Sequence, residues 1–224
     1  MSVKTKLIGQ LAGSVATLVF CLTATANEFT VTVVDSDQQP VSDIVVYLTP
    51  SSGVEELAPN TEPLIIDQKD KKFSPYITVL QKGQALNFVN KDDITHHIYS
   101  VSGENRFEFK IKEGETKTTH ELMSTEEVAM GCNIHDWMSG YALVVETPVF
   151  GKTDEQGKLT VTLPVKDSYH VTVWHPQLDV EANRVSTLLE LTADNMSHVI
   201  KLPKKLLPIP EQVGQDEFDF LEGY

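Results

Sequence analysis

Gly131-Cys132-Asn133-Ile134-His135-Asp136-Trp137-Met138-Ser139-Gly140 sits between two segments of β character, 127–130 and 141–145. Both flanks are rich in residues that suit a pleated strand, so the stretch reads as a connection between two strands. It offers a thiol, an imidazole and a thioether within seven residues, at the spacing Cys-x-x-His-x-x-Met. Outward from it, apolar residues recur with period two far more often than with period three or four. Strands are predicted over 29–33, 44–48, 76–80, 85–89, 96–101 and 106–111 before the stretch, and over 158–163, 169–174, 185–191 and 198–202 after it. Turn-forming runs separate them, among them 35–40, Lys82-Gly83-Gln84, Glu113-Gly114-Glu115 and 153–157. Residues 51–60 read as a linker. No long amphipathic helix is legible, and many short strands with regular turns predict an all-β chain built of β-sandwiches.

The first 26 residues differ from the rest. Lys4 and Lys6 form a short positive region, residues 7–22 are mostly apolar or small, and Ala24-Thr25-Ala26 is an A-x-A cleavage signature. Gln10, Ser14 and Thr17 interrupt the apolar run, which argues against a spanning helix of about 20 strongly apolar residues. Residues 1–26 are therefore expected to be a signal peptide cleaved after Ala26, giving a periplasmic protein with no stable membrane insertion. Their removal takes two lysines and no acid, moving the formal charge from −14 by two to −16. Such a surface repels nucleic acid and suits a basic partner. Cys21 leaves with the signal, so Cys132 is a lone thiol in an oxidising compartment. It is either a buried inert thiol or a metal thiolate.

Copper that shuttles electrons is held by two imidazoles and a thiolate, with a weak thioether on the axis. Cys132, His135 and Met138 supply three of those four donors, and the fourth must come from another strand. His96-His97 lies upstream, and strand alternation lets only one of the pair face inward. If Ile98 packs in the core, His96 shares its face and His97 points away. Zinc is the alternative ion, but it favours further thiolates, histidines or a carboxylate over a thioether. His120, His170, His175 and His198 have no metal-like partners in sequence, and His175 is read as a strand-end histidine bonded to backbone. Asp92 and Asp93 are read as solvated turn acids. No nucleophile elbow, phosphate loop or dinucleotide fingerprint occurs, so standard hydrolase and nucleotide chemistry has no support.

The segment from Gly83 through Asn90 to His96-His97-Ile98, followed by Gly131-Cys132 through His135 to Met138-Ser139-Gly140, resembles a cupredoxin of the plastocyanin and azurin type. It is especially similar to bacterial periplasmic proteins labelled methylamine-utilisation or plastocyanin-like, over about residues 61–147. The resemblance implies a Greek-key β-sandwich and maps the upstream ligand onto His96. The family has Asn where this chain has His97, and that Asn normally hydrogen-bonds across to the cysteine loop; His97 stays open as the alternative ligand. The flanks, 28–50 and 149–202, more loosely resemble the small Ig-like or transthyretin-like sandwich of carboxypeptidase regulatory domains.

These readings give a discontinuous Ig-like sandwich over 27–60 and 148–203, a cupredoxin copper domain over 61–147, and an acidic flexible tail over 204–224. The expected site is one mononuclear copper ion held by His96, Cys132, His135 and Met138, in a single-electron carrier that is not an enzyme. The resemblance places His135 near the surface as an electron port, and a c-type cytochrome is the kind of basic redox partner it implies. Two other functions fit the same residues: a copper chaperone, store or sensor without a redox circuit, and a sandwich interaction module with a structural metal.

Overall fold

The structure is a computed structural model that describes residues 27–55, 57–164, 167–191 and 195–212. The signal-peptide reading and Phe218, Phe220 and Leu221 of the tail lie outside the described residues. The described chain is all-β, and its strands make two sandwiches. The central sandwich uses β3 (Leu64–Lys69), β4 (Lys72–Ser74), β5 (Ile77–Gln81), β6 (Leu86–Asn90), β7 (His96–Ser100), β8 (Phe107–Ile111), β9 (Thr116–Thr118), β10 (Glu127–Cys132) and β11 (His135–Val145). The flanking sandwich uses β1 (Asn27–Val34), β2 (Val45–Pro50), β12 (Phe150–Lys152), β13 (Lys158–Leu163), β14 (Ser168–Trp174), β15 (Arg184–Glu190) and β16 (Ser197–Lys201).

In the central sandwich one sheet runs β5-β11-β10-β7-β8 and the other β4-β3-β6-β9. The pairs β5·β11 and β3·β6 are parallel, and every other pair is antiparallel. Alternation decides which side chains fill the space between the sheets. Ile66, Phe88, Ile98, Ile111, Val128, Met130 and Ala142 point inward and are at most 3% exposed. Phe88 anchors this core, with the rings of Phe73, Phe107 and Phe109 within 6.1 Å, centre to centre. Fully burying a side chain of this size contributes about 1.5–3 kcal/mol.

The flanking sandwich stacks β13-β1-β16 on β12-β2-β14-β15. Phe29, Val31 and Val33 of β1 face Val46 and Leu48 of β2 and Tyr169, Val171 and Val173 of β14 across its core. Its chain enters from residues 27–50 and resumes at 150, so the central sandwich sits between the two contributions. The two bodies share a junction. Outward-facing Val45 of β2 and Trp174 of β14 bury themselves against Ile77, Val79, Leu143 and Val145 of β5 and β11. This explains why β5 is buried at every position rather than at alternate ones, since a strand covered on both faces loses the polar half of its pattern. Lys152 Nζ donates to the Ile77 carbonyl at 3.0 Å and Gln177 Nε2 to the Tyr76 hydroxyl at 3.0 Å across the same seam.

Four strands fall outside the predicted set, each for a visible reason. In β3 the inward positions are Ile66 and Gln68, and a fully buried glutamine hides the apolar alternation. Strand β9 is three exposed polar residues, while β4 and β12 are three-residue strands too short to show a period. No helix among the described residues is long and apolar enough to cross a membrane.

Candidate metal centre

The quoted stretch is tighter than the loop its spacing suggested. Cys132 ends β10, His135 begins β11, and only Asn133-Ile134 turns between them, so the two residues face each other across a hairpin. A spacing of three along a strand would put His135 and Met138 on opposite faces. The register slips here: Gly131 pairs with Ser139 while Cys132 pairs with His135, leaving residues 136–138 as a bulge. The bulge returns Met138 to the inner face, with His135 8% and Met138 1% exposed and Asp136 between them in solvent. From the neighbouring strand, Cys132 pairs with Ile98, and two residues back on that face is His96.

The result is a convergence of donors. His96 Nδ1 lies 3.7 Å and His135 Nδ1 3.6 Å from Cys132 Sγ. The donor atoms of His96, Cys132 and His135 all lie within 4.8 Å of one another, and all three residues are buried. Met138 is buried in the same apolar cluster as Cys132. Both line one groove of about 380 Å³, together with Tyr99, Val101, Asn133 and Ser139. The free thiol, two inward nitrogens and buried thioether fit one soft-to-borderline metal ion.

Electrostatics follow the same geometry. Burial pushes the Cys132 thiol up, but the His96 imidazole and the backbone N–H groups of Ile134 and His97 outweigh it and hold the thiol below its ordinary value. Burial pushes His96 down, yet Cys132 and Asp92 together raise it. His135 is lowered by burial, then by the charges of His96 and Lys71. A lowered thiol and a lowered second imidazole are the states in which sulfur and nitrogen lone pairs are free to bind a cation.

His97 is half-buried and takes no part in the convergence. Asn133 Nδ2 donates to His97 Nδ1 at 3.1 Å, His97 Nε2 donates to Glu108 Oε1 at 2.7 Å, and the Asn133 N–H donates to the His97 carbonyl at 2.9 Å. The cross-link to the cysteine hairpin is therefore present with His97 in the strand and the asparagine in the turn. Asp92 departs from the solvated-acid reading, because it accepts from His96 Nε2 at 2.8 Å. No local sequence signal marks it, since its other donors come from a turn 21 and 22 residues away. His175 accepts the Gln177 N–H at 3.1 Å, as a strand-end histidine bonded to backbone. In the tail, Gln212 meets Ser139, accepting from its N–H at 3.2 Å and donating to its hydroxyl at 3.1 Å.

No family model and no curated relative matches the chain. Solved structures do. A copper-containing nitrite reductase from Thermus scotoductus is 24% identical over 40% of this chain and 23% of its own, with a TM-score of 0.36. A purple cupredoxin from Nitrosopumilus maritimus is 18% identical over 37% of this chain and 99% of its own, at 0.33. An oxidised variant of amicyanin is 17% identical over 44% of this chain and 99% of its own, at 0.34. This chain thus spans under a quarter of the nitrite reductase. The central sandwich itself combines two parallel pairs with antiparallel strands and gathers its donors at one end of the core.

Proposed function

We propose that the protein is a type 1-like copper protein that carries single electrons between redox partners in the periplasm. The observation that carries this reading is the approach of two inward imidazole nitrogens to one buried thiol, at 3.7 and 3.6 Å. Cys132 would hold the ion as thiolate, His96 and His135 through their imidazole nitrogens, and Met138 through its thioether. When bound, copper supplies a one-electron couple between Cu(I) and Cu(II). The chain's own residues limit rearrangement in that exchange. Soft sulfur suits Cu(I) and imidazole suits Cu(II), so the set fits both states. Three of the donors sit in paired strands, and the surrounding apolar core keeps water from His96, which is fully buried. His135 is the more exposed imidazole at 8%, next to Ile134, which is 53% exposed at the hairpin tip. That edge is the natural port for an electron. The formal charge of −16 after signal removal, two below the −14 of the full chain, favours a basic partner such as a c-type cytochrome. Residues 27–60 with 148–203 would act as one domain interrupted by the copper domain, 61–147.

The groove that reaches Cys132 and Met138 favours a second reading, a copper chaperone or store that releases its ion. Voltammetry of the copper-loaded protein beside a chelator challenge separates them. A reversible one-electron wave with copper retained against the chelator is expected. Rapid surrender of copper with no reversible wave would replace the carrier by the chaperone.

A further inference from the structure

Asp92 lies in the connection between β6 and β7, and its carboxylate gathers three donors. Oδ1 accepts the Asp70 N–H at 2.6 Å, and Oδ2 accepts the Lys71 N–H at 3.0 Å and His96 Nε2–H at 2.8 Å. The first two donors belong to the tip of the β3–β4 hairpin, where Asp70 and Lys71 have φ of 55° and 56°. Two left-handed residues in succession make a type I′-like hairpin tip, which favours Asn and Gly and not Lys. Two hydrogen bonds to one carboxylate offset part of that cost. If this were the whole role, Asp92 would be a turn brace and nothing more.

The third bond changes its meaning. A carboxylate can only accept, so His96 Nε2 carries a proton, and in the neutral ring the lone pair is then on Nδ1, which faces Cys132 Sγ at 3.7 Å. Asp92 is itself held still. Its N–H donates to Asn90 Oδ1 at 2.9 Å, and the buried Asn90 amide donates to the carbonyls of Ile94 at 2.7 Å and Ile111 at 3.1 Å. Its side chain is 11% exposed, so the bond to the fully buried imidazole is little screened by solvent. Asp93, the next residue in the same connection, is exposed.

We propose that Asp92 is a positioning residue for the metal centre: it fixes the tautomer and ring orientation of His96 and locks that strand to the β3–β4 hairpin tip. The proposal rests on the copper reading given above. An anionic partner also makes the ligand imidazole a better donor to the more highly charged Cu(II). Loss of Asp92 therefore weakens Cu(II) more than Cu(I) and raises the reduction potential.

The test compares Asp92→Asn with Asp93→Asn in the full mature chain, each removing one formal charge. Asn keeps one acceptor oxygen in place of two, so one hairpin N–H loses its partner, and thermal melting of both variants measures what that costs the fold. Three readouts follow: Cu(II) affinity by competition, reduction potential, and the ring-proton NMR signals of His96 in the diamagnetic Cu(I) form. Asp92→Asn is expected to lower Cu(II) affinity about 10–100-fold, the range typical of partners behind a metal ligand. It should also raise the potential and speed exchange of the His96 Nε2 proton, while Asp93→Asn stays near wild type. A lowered melting temperature with affinity, potential and ring proton unmoved would reduce Asp92 to a turn brace and overturn the proposal. Equal shifts in the two variants would also overturn it, since only general charge would then act. A wild-type chain that binds no copper would defeat the copper reading instead, an outcome separate from both.

Discussion

Both sandwiches bury imidazoles, and the two most enclosed, His175 and His96, are treated in opposite ways. His175, at the end of β14 in the flanking sandwich, is 3% exposed and has one backbone N–H as its hydrogen-bond partner at Nδ1. Burial drives it down to about 4 from 6.5, with the Lys152 charge adding to the effect and Asp43 opposing it. His96 in the central sandwich is fully buried too, yet a thiol on one side and a carboxylate on the other raise it. Burial alone makes a histidine a neutral part of a core. Convergence with a thiol, a second imidazole and a carboxylate makes one part of a site. The contrast extends to the sheets: the flanking core is lined by apolar side chains in regular alternation, whereas the central core breaks its register at 136–138 to turn Met138 inward. Local irregularity is where function departs from folding.

The largest expected effect tests whether the two bodies depend on each other. Trp174→Ala empties the centre of the junction, where the ring is fully buried against Ile77, Val79, Leu143 and Val145. A cost of about 3–5 kcal/mol in urea unfolding is expected. Because β11 carries both the junction and two donors, loss of copper should shift to the same lower denaturant concentration. Copper release unmoved while the flanking sandwich unfolds would make the bodies independent.

The next effect sharpens the contrast between the two histidines. The pKa of His175 in the folded chain lies below its unfolded value, so its contribution to stability is fully present above pH 6.5 and is lost as pH falls through about 4. The full contribution is about 3 kcal/mol on that shift. Between pH 7 and pH 4 the wild type should lose about that much stability relative to His175→Gln, read as a pH-dependent change in the difference between their unfolding curves. A constant difference across that window would deny that His175 is buried neutral.

Met138→Leu gives the smallest change in stability. The swap conserves volume in the core, and less than about 1.5 kcal/mol is expected. The thioether donor is lost, however, so the copper absorption should move and the potential rise. Unchanged copper properties would make Met138 a core residue like its neighbours Met130 and Ala142.

Much of the fold was legible because alternation survives wherever one face meets water. The strands at 29–33, 44–48, 158–163 and 169–174 fall within β1, β2, β13 and β14 or overlap them closely. The inward facing of His96 followed from Ile98 two residues on, and the structure buries both while His97 bonds to Asn133 and Glu108. Less was legible where long-range partners decide. Gln68 occupies an inward position that no local pattern assigns to a glutamine, and it hid β3. The bulge at 136–138 depends on register with β10, which the spacing of Cys132, His135 and Met138 does not encode. Asp92 looked like a turn acid because the hairpin that uses it lies 21 and 22 residues upstream.

The most direct test of the central claim, that His96, Cys132, His135 and Met138 hold one copper ion, is a Cu(II) titration of the purified mature protein followed by visible absorption. An intense blue or green thiolate-to-copper band that saturates at one equivalent, and is absent in Cys132→Ser, is the predicted result. A Cys132 thiol that stays freely reactive in excess copper, with no band at any ratio, would contradict it.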